Sequence, residues 1–141
     1  MALPNADPIY TRVGDVQWIG YVTAANTTAD LTAGTIYLVW TADATNGGFL
    51  RSLRCKATPA GNTTATVLRV WLNNGATTAT ATNNILLGEL TLPAVTASGT
   101  TATPELEYPV NLAIPPSYRV YVTIHTASAN GWAVTGVGGK Y

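Results

Sequence analysis

The chain has 141 residues, 47% apolar and only 10% charged, and its seven basic residues balance seven acidic ones. A zero net charge excludes an electrostatic DNA or RNA binder, which needs a basic excess to neutralise phosphates, and a polybasic membrane-surface binder. The length suits one domain that buries a core without metals or disulfide staples.

Low charge does not predict disorder here, because β-branched and aromatic residues are plentiful. Thr (24) and Ala (21) make up nearly a third of the chain. Thr favours strands and tolerates polar sheet faces, and Ala permits close approach of surfaces. A Thr/Ala/Asn/Ser exterior has few charges to desolvate, which suits burial against another protein. Cys55 is the lone cysteine and has no intramolecular disulfide partner. Residues 1–7 lack a basic region and a long apolar run, so no secretory signal is expected. No apolar window predicts a membrane-spanning helix. Synthesis in a cytosol is therefore expected, and the sequons at Asn26 and Asn62 read as chance products of a Thr-rich chain.

Residues 1–15 read as an extended arm, since Pro4 and Pro8 block helix and bias their neighbours to extended backbone. Residues 16–141 read as one β-sandwich domain. In the first strand Val16, Trp18 and Val22 alternate with Gln17, Ile19 and Tyr21. Residues 36–40 form a continuous β-branched and aromatic run, so both faces are expected to be covered. Asn46-Gly47-Gly48 is a turn. In residues 49–57, Leu53, Cys55 and Ala57 share a face opposite Ser52, Arg54 and Lys56. In residues 66–72, Leu68, Val70 and Leu72 oppose Val67, Arg69 and Trp71, and Asn73-Asn74-Gly75 ends the strand. A polar loop precedes a strand over residues 85–92. Pro109 marks the next strand, around Leu106, Tyr108, Val110 and Leu112, as an edge or a break. In residues 118–126, Tyr118, Val120, Val122 and Ile124 point inward and Arg119, Tyr121, Thr123 and His125 outward. Residues 132–137 form the last strand. Some eight strands with frequent turns and no helical period predict an all-β antiparallel sandwich, most economically a jelly roll, with an immunoglobulin-type sandwich as the alternative.

No residue set predicts catalysis. His125 is the sole histidine and lies on an outer strand face. Cys55 shares the apolar face of Leu53 and reads as a core thiol. Glu105 and Glu107 sit two apart on one strand, roughly 6–7 Å at Cα, a poor match for two carboxyls facing across a sugar. Asp7, Asp15, Asp30 and Asp43 are scattered and form no calcium loop. Gly136-Val137-Gly138-Gly139 opens no helix, so it is no phosphate loop. No metal and no cofactor is expected. Trp71 and Tyr121 point outward by parity and are the candidate sugar-stacking rings, set against a core or interface role shared with Trp18, Trp40 and Trp132. Arg51, Arg54, Arg69 and Arg119 are strand arginines placed to pair with Glu105 and Glu107 or to anchor a partner.

The segments Thr66-Val67-Leu68-Arg69-Val70-Trp71-Leu72-Asn73-Asn74-Gly75, Leu87-Gly88-Glu89-Leu90-Thr91-Leu92-Pro93 and Leu112-Ala113-Ile114-Pro115-Pro116-Ser117-Tyr118-Arg119-Val120-Tyr121-Val122, with the closing Gly131-Trp132-Ala133-Val134-Thr135, resemble small structural proteins of tailed bacteriophages and prophages. The likeness runs from about Phe49 onward. It implies a jelly-roll-like virion component made in the bacterial host cytoplasm, with no catalytic residues. The foremost member type is a capsid decoration (cement) protein on the capsid surface. Such a protein binds the major capsid protein, often as a homotrimer. The alternative is a tail- or baseplate-associated module that binds host-surface glycans. Pro4, Asp7, Ile9, Tyr10 and Arg12 of the arm, and Trp71, Arg119 and Tyr121 of the strands, are the expected capsid or subunit contacts.

Overall fold

Alternating apolar residues, interrupted by Asn-Gly and Pro-Pro signals, fold into strands that close two sheets over a single core. The computed structural model describes residues 10–141. Its strands are β1 (Val13–Val22), β2 (Tyr37–Thr41), β3 (Gly48–Ala57), β4 (Thr66–Asn73), β5 (Asn84–Leu92), β6 (Glu105–Ile114), β7 (Arg119–Ile124) and β8 (Trp132–Lys140). A single 3₁₀ turn, Ala81–Asn83, precedes β5.

One sheet has the order β1-β8-β3-β6 and the other β2-β7-β4-β5. Every pairing between these strands is antiparallel. The pairs are nested: β1 with β8, β2 with β7, β3 with β6, and β4 with β5 at the tip. The chain is thus a long hairpin rolled across itself, with β3–β8 and β4–β7 contacts closing each sheet. That nesting is the jelly-roll arrangement. The immunoglobulin alternative is set aside by this strand order.

The core forms where the inward faces meet. Leu50, Leu53, Cys55 and Ala57 of β3 and Val134 of β8 pack toward Leu68 and Val70 of β4 and Val120, Val122 and Ile124 of β7. The alternation expected in β3, β4 and β7 holds, including outward Arg54, Lys56, Arg69 and His125. Trp40 and Trp132 are fully buried. Gly136 leaves room for the Trp40 ring, because a Cβ there would lie 3.1 Å from its Cδ1. Among the described residues, the indole Nε1 atoms of Trp40 and Trp132 find no hydrogen-bond partner, a cost of about 1–3 kcal/mol each that burial of the two rings offsets.

The Asn46-Gly47-Gly48 signal is a turn, as expected. Gly47 has φ +72° and Asp43 Oδ1 accepts from the N–H groups of Thr45 and Asn46. β6 carries Pro109 at a sheet edge, also as expected. It bulges opposite Leu50 and Ser52, where Asn111 takes φ +48°.

Three expectations need correction. The strand begins at Val13, inside the segment read as an arm, and the Arg12 N–H donates to the Lys140 carbonyl at 2.7 Å. The 36–40 run is not covered on both faces: β2 is an edge strand with an exposed Leu38 and a register shift between Leu38 and Trp40. The last strand reaches Lys140, because Gly138 and Gly139 continue pairing with β1 and β3. Pro4, Asp7 and Ile9 lie outside the described residues.

Candidate functional site

The two outer sheet faces differ in kind. On the β2-β7-β4-β5 sheet, Leu38, Tyr121, Trp71 and Leu86 stand in one register row, and Thr41, Arg119, Asn73 and Asn84 in another. The sequence-predicted Trp71, Arg119 and Tyr121 are therefore brought together, on the outward side that parity predicts. The loop over residues 23–36 then covers the rings. Leu31 packs onto Trp71 and Tyr121, leaving them 7% and 8% exposed. Trp71 Nε1 donates to Thr123 Oγ1 at 3.1 Å. Neither ring presents an open face, so both take the buried role that was set against sugar stacking, and neither is a stacking platform or an open subunit contact.

The covering loop is built around Asn26. Its Nδ2 donates to the carbonyls of Asp30, Ala33 and Thr35 at 3.1, 2.9 and 3.3 Å, and its Oδ1 accepts from Thr28 Oγ1 at 2.8 Å. The Asn26 N–H donates to the Ile124 carbonyl at 2.7 Å, which ties the loop to β7. Tyr37 Oη accepts from the Thr23 and Ala24 N–H groups and anchors its start. Gly34 lies against this hub at φ +79°, where a Cβ would sit 3.1 Å from Asn26 Cγ. Asn26 is a structural hub, and the sequon around it marks a buried amide.

The outer face of the β1-β8-β3-β6 sheet is open. Cross-strand rows run Tyr21–Ala133–Lys56–Glu105, Trp18–Thr135–Arg54–Glu107 and Val16–Val137–Ser52–Pro109. The β6 side is charged: Arg54 Nε donates to Glu105 Oε1 at 2.9 Å, and this bond holds the guanidinium above its ordinary value. The pair is exposed and contributes little stability. The β1 side is apolar and bare, with Val16, Trp18 and Tyr21 exposed by 52%, 71% and 51%.

β1 is inverted relative to the usual rule. Its polar residues Asp15 and Gln17 point inward, and Val16, Trp18 and Tyr21 point out, while Ile19 and Val22 stay against the core. Parity in the sequence shows that Val16 and Trp18 share a face; it does not show that this face is the outer one. A register shift between Ile19 and Tyr21 then returns Val22 to the core. Of the four tryptophans, Trp40, Trp71 and Trp132 are buried as expected and Trp18 is not.

Tyr10 and Arg12 lie at the β1–β8 corner, away from Trp71 and Tyr121. Tyr10 is exposed and lines a recess of about 410 Å³ with Thr11, Phe49, Ala113 and Tyr141. The expected contacts thus fall into two separate groups.

The candidate chemical groups do not converge. Cys55 lies in the core on β3, and burial pushes its thiol up to about 12. His125 lies on the outer side of the opposite sheet, 3.4 Å from Arg69 Nη1, so the two cannot form a dyad. Arg69 pairs with Glu89 at 2.8 Å, a β4–β5 partner that the sequence reading did not foresee. Among the described residues, no group of three His, Cys, Asp or Glu side chains is placed to hold a metal. No family model, curated protein or solved structure matches the chain.

Proposed function

We propose that this chain is a structural protein of a tailed-phage virion, a decoration protein that binds the outer surface of the capsid and stabilises it. The observation that carries this reading is the inverted strand β1. Val16, Trp18 and Tyr21 are presented to solvent from a rigid sheet, with no charged side chain in their row on that strand. Apolar surface so placed gains free energy when another protein covers it. The resemblance of the later strands to phage structural proteins supplies the assembly, with the major capsid protein as partner. Contacts from several copies would raise avidity on a repetitive shell. Exposed Thr, Ala and Asn over the remaining surface add little desolvation cost to such contacts.

The test is localisation and uptake. Virions of the encoding phage, imaged by cryo-electron microscopy, are expected to carry the protein on the shell in copy numbers that follow the capsid lattice. Capsids lacking it are expected to take up the purified chain to saturation and to gain heat resistance. Virions without the protein, together with capsids that never bind it, would overturn the reading. A few copies confined to the tail would replace it with the tail-module alternative.

A further inference from the structure

Among the described residues, the edge of β1 is the least protected in the fold. The four edge strands are β1 and β6 in one sheet and β2 and β5 in the other. An open edge offers a row of N–H and C=O groups to any passing strand, and proteins normally blunt it with proline, charge, shortness or bulges. β6 is blunted by Pro109 and carries Glu105 and Glu107. β2 has five residues and a register shift. β5 carries Glu89 next to its midpoint, so an antiparallel copy of itself would bring two carboxylates together. β1 has ten residues and neither proline nor lysine, its register shift falls only near its end, between Ile19 and Tyr21, and its one charged residue, Asp15, is buried and accepts from Gln17 Nε2.

We infer that β1 pairs antiparallel with β1 of a second copy of this chain across a twofold axis, joining two four-stranded sheets into one of eight strands. Two observations select a second copy. The first is charge: β1 has no exposed charged side chain with which to choose a charged peptide, and self-pairing opposes no like charges. The second is the edge itself: β1 offers ten residues of backbone to an equal strand, and Val16, Trp18 and Tyr21 of the two copies meet side by side on one continuous outer face. An antiparallel strand pair is isologous, so each patch meets its own equivalent and the contact closes at two copies. The symmetry differs from the threefold that the phage resemblance implies.

The pairing rests on the reading of the chain as an assembly protein but requires nothing of the capsid. A dimer that no capsid takes up would sink the virion reading and leave the pairing intact; a monomer that decorates capsids would do the reverse. The experiment is light scattering on a sizing column with the full chain at micromolar concentration. The expected mass is twice the 14.7 kDa of one chain. Trp18→Lys and Val16→Lys are expected to weaken pairing by roughly thirtyfold or more, Trp18→Phe to retain it, and Leu86→Lys on β5 to leave it unchanged. Hydrogen exchange on the wild type needs no variant: on concentration, amide protection is expected to rise in β1 alone. A monomeric or trimeric wild type, a dimer indifferent to both lysine substitutions, or protection rising in β5 instead of β1 would overturn the inference.

Discussion

Gln17 and Thr41 exchange two hydrogen bonds across the seam between the sheets. Gln17 Nε2 donates to the Thr41 carbonyl at 2.8 Å, and the Thr41 N–H donates to Gln17 Oε1 at 3.0 Å. A side-chain amide here behaves as a short piece of strand, satisfying the edge of β2 from β1. This pair explains the inversion of β1. Once Gln17 must point inward to meet Thr41, Val16 and Trp18 must point out, because successive side chains alternate.

Gln17→Leu is expected to leave the Thr41 groups unpaired and to cost about 1–3 kcal/mol in urea unfolding. Gln17→Glu is expected to cost more at neutral pH, since Gln17 Nε2 lies 2.9 Å from Asp15 Oδ2 and a carboxylate would face a carboxylate. That repulsion raises the folded-state value of the new carboxyl. The variant's deficit is therefore small below the ordinary glutamate range and grows as pH rises through it. Unfolding curves at acidic and neutral pH check the sign.

Leu31 is the lid on Trp71 and Tyr121. Leu31→Ala is expected to destabilise the fold by about 2–4 kcal/mol and to open Trp71 to acrylamide. Trp40 and Trp132 lie under both sheets and stay protected. Quenching that rises without a change in strand circular dichroism identifies the loop as the cover. Unchanged quenching would contradict the packing.

Asn26 gives its amide to three carbonyls, so its charge state matters more than its size. Asn26→Asp would turn an oxygen toward those carbonyls and is expected to cost about 3 kcal/mol or more, while Asn26→Ala loses the bonds without adding repulsion. Gly34→Ala is expected to destabilise by about 1–2 kcal/mol from its positive φ and the crowded Asn26 amide. Thermal unfolding of the three variants orders them.

Asp30 and Asp43 set an acid limb. The Thr32 hydroxyl, followed by the Thr32 N–H, holds the Asp30 carboxyl below its ordinary 3.8. The Asn46 N–H, then that of Thr45, does the same for Asp43. A lowered folded-state value means that the stabilisation is present above pH 3.8 and is lost as pH falls through the folded value. The Asp30→Asn, Asp43→Asn double variant is expected to flatten the fall in stability over that acidic window. Both residues are half-buried with their carboxyls open to solvent, so salt weakens the effect.

Cys55 is expected to be silent in the folded protein. Its thiol is buried and pushed up to about 12, so no thiolate is present at neutral pH to attack a disulfide reagent. Reaction with such a reagent is expected only after unfolding, at the unfolding rate. Fast reaction of the native chain would contradict the core placement.

The sequence by itself determined the fold class and most of the core. Alternation in β3, β4 and β7 marks Leu53, Cys55, Leu68, Val70, Val120 and Val122 as one inward set, since sheet periodicity is local and a single apolar face must be buried. The turns at Asn46-Gly47 and Asn73-Asn74-Gly75 are equally local, because the backbone geometry they need is written in the residues themselves. Tertiary structure decided which face of each strand stays covered. Parity places Trp71, Tyr121 and His125 on the outer side of their sheet, yet Leu31 arrives from 40 or more residues away to bury the two rings. Parity also groups Val16 with Trp18, yet the distant Thr41 backbone draws Gln17 inward and turns both apolar residues to solvent. Alternation relates neighbours along a strand. What lies above a face depends on which remote segment needs a partner there, and that is set only when the sheets close.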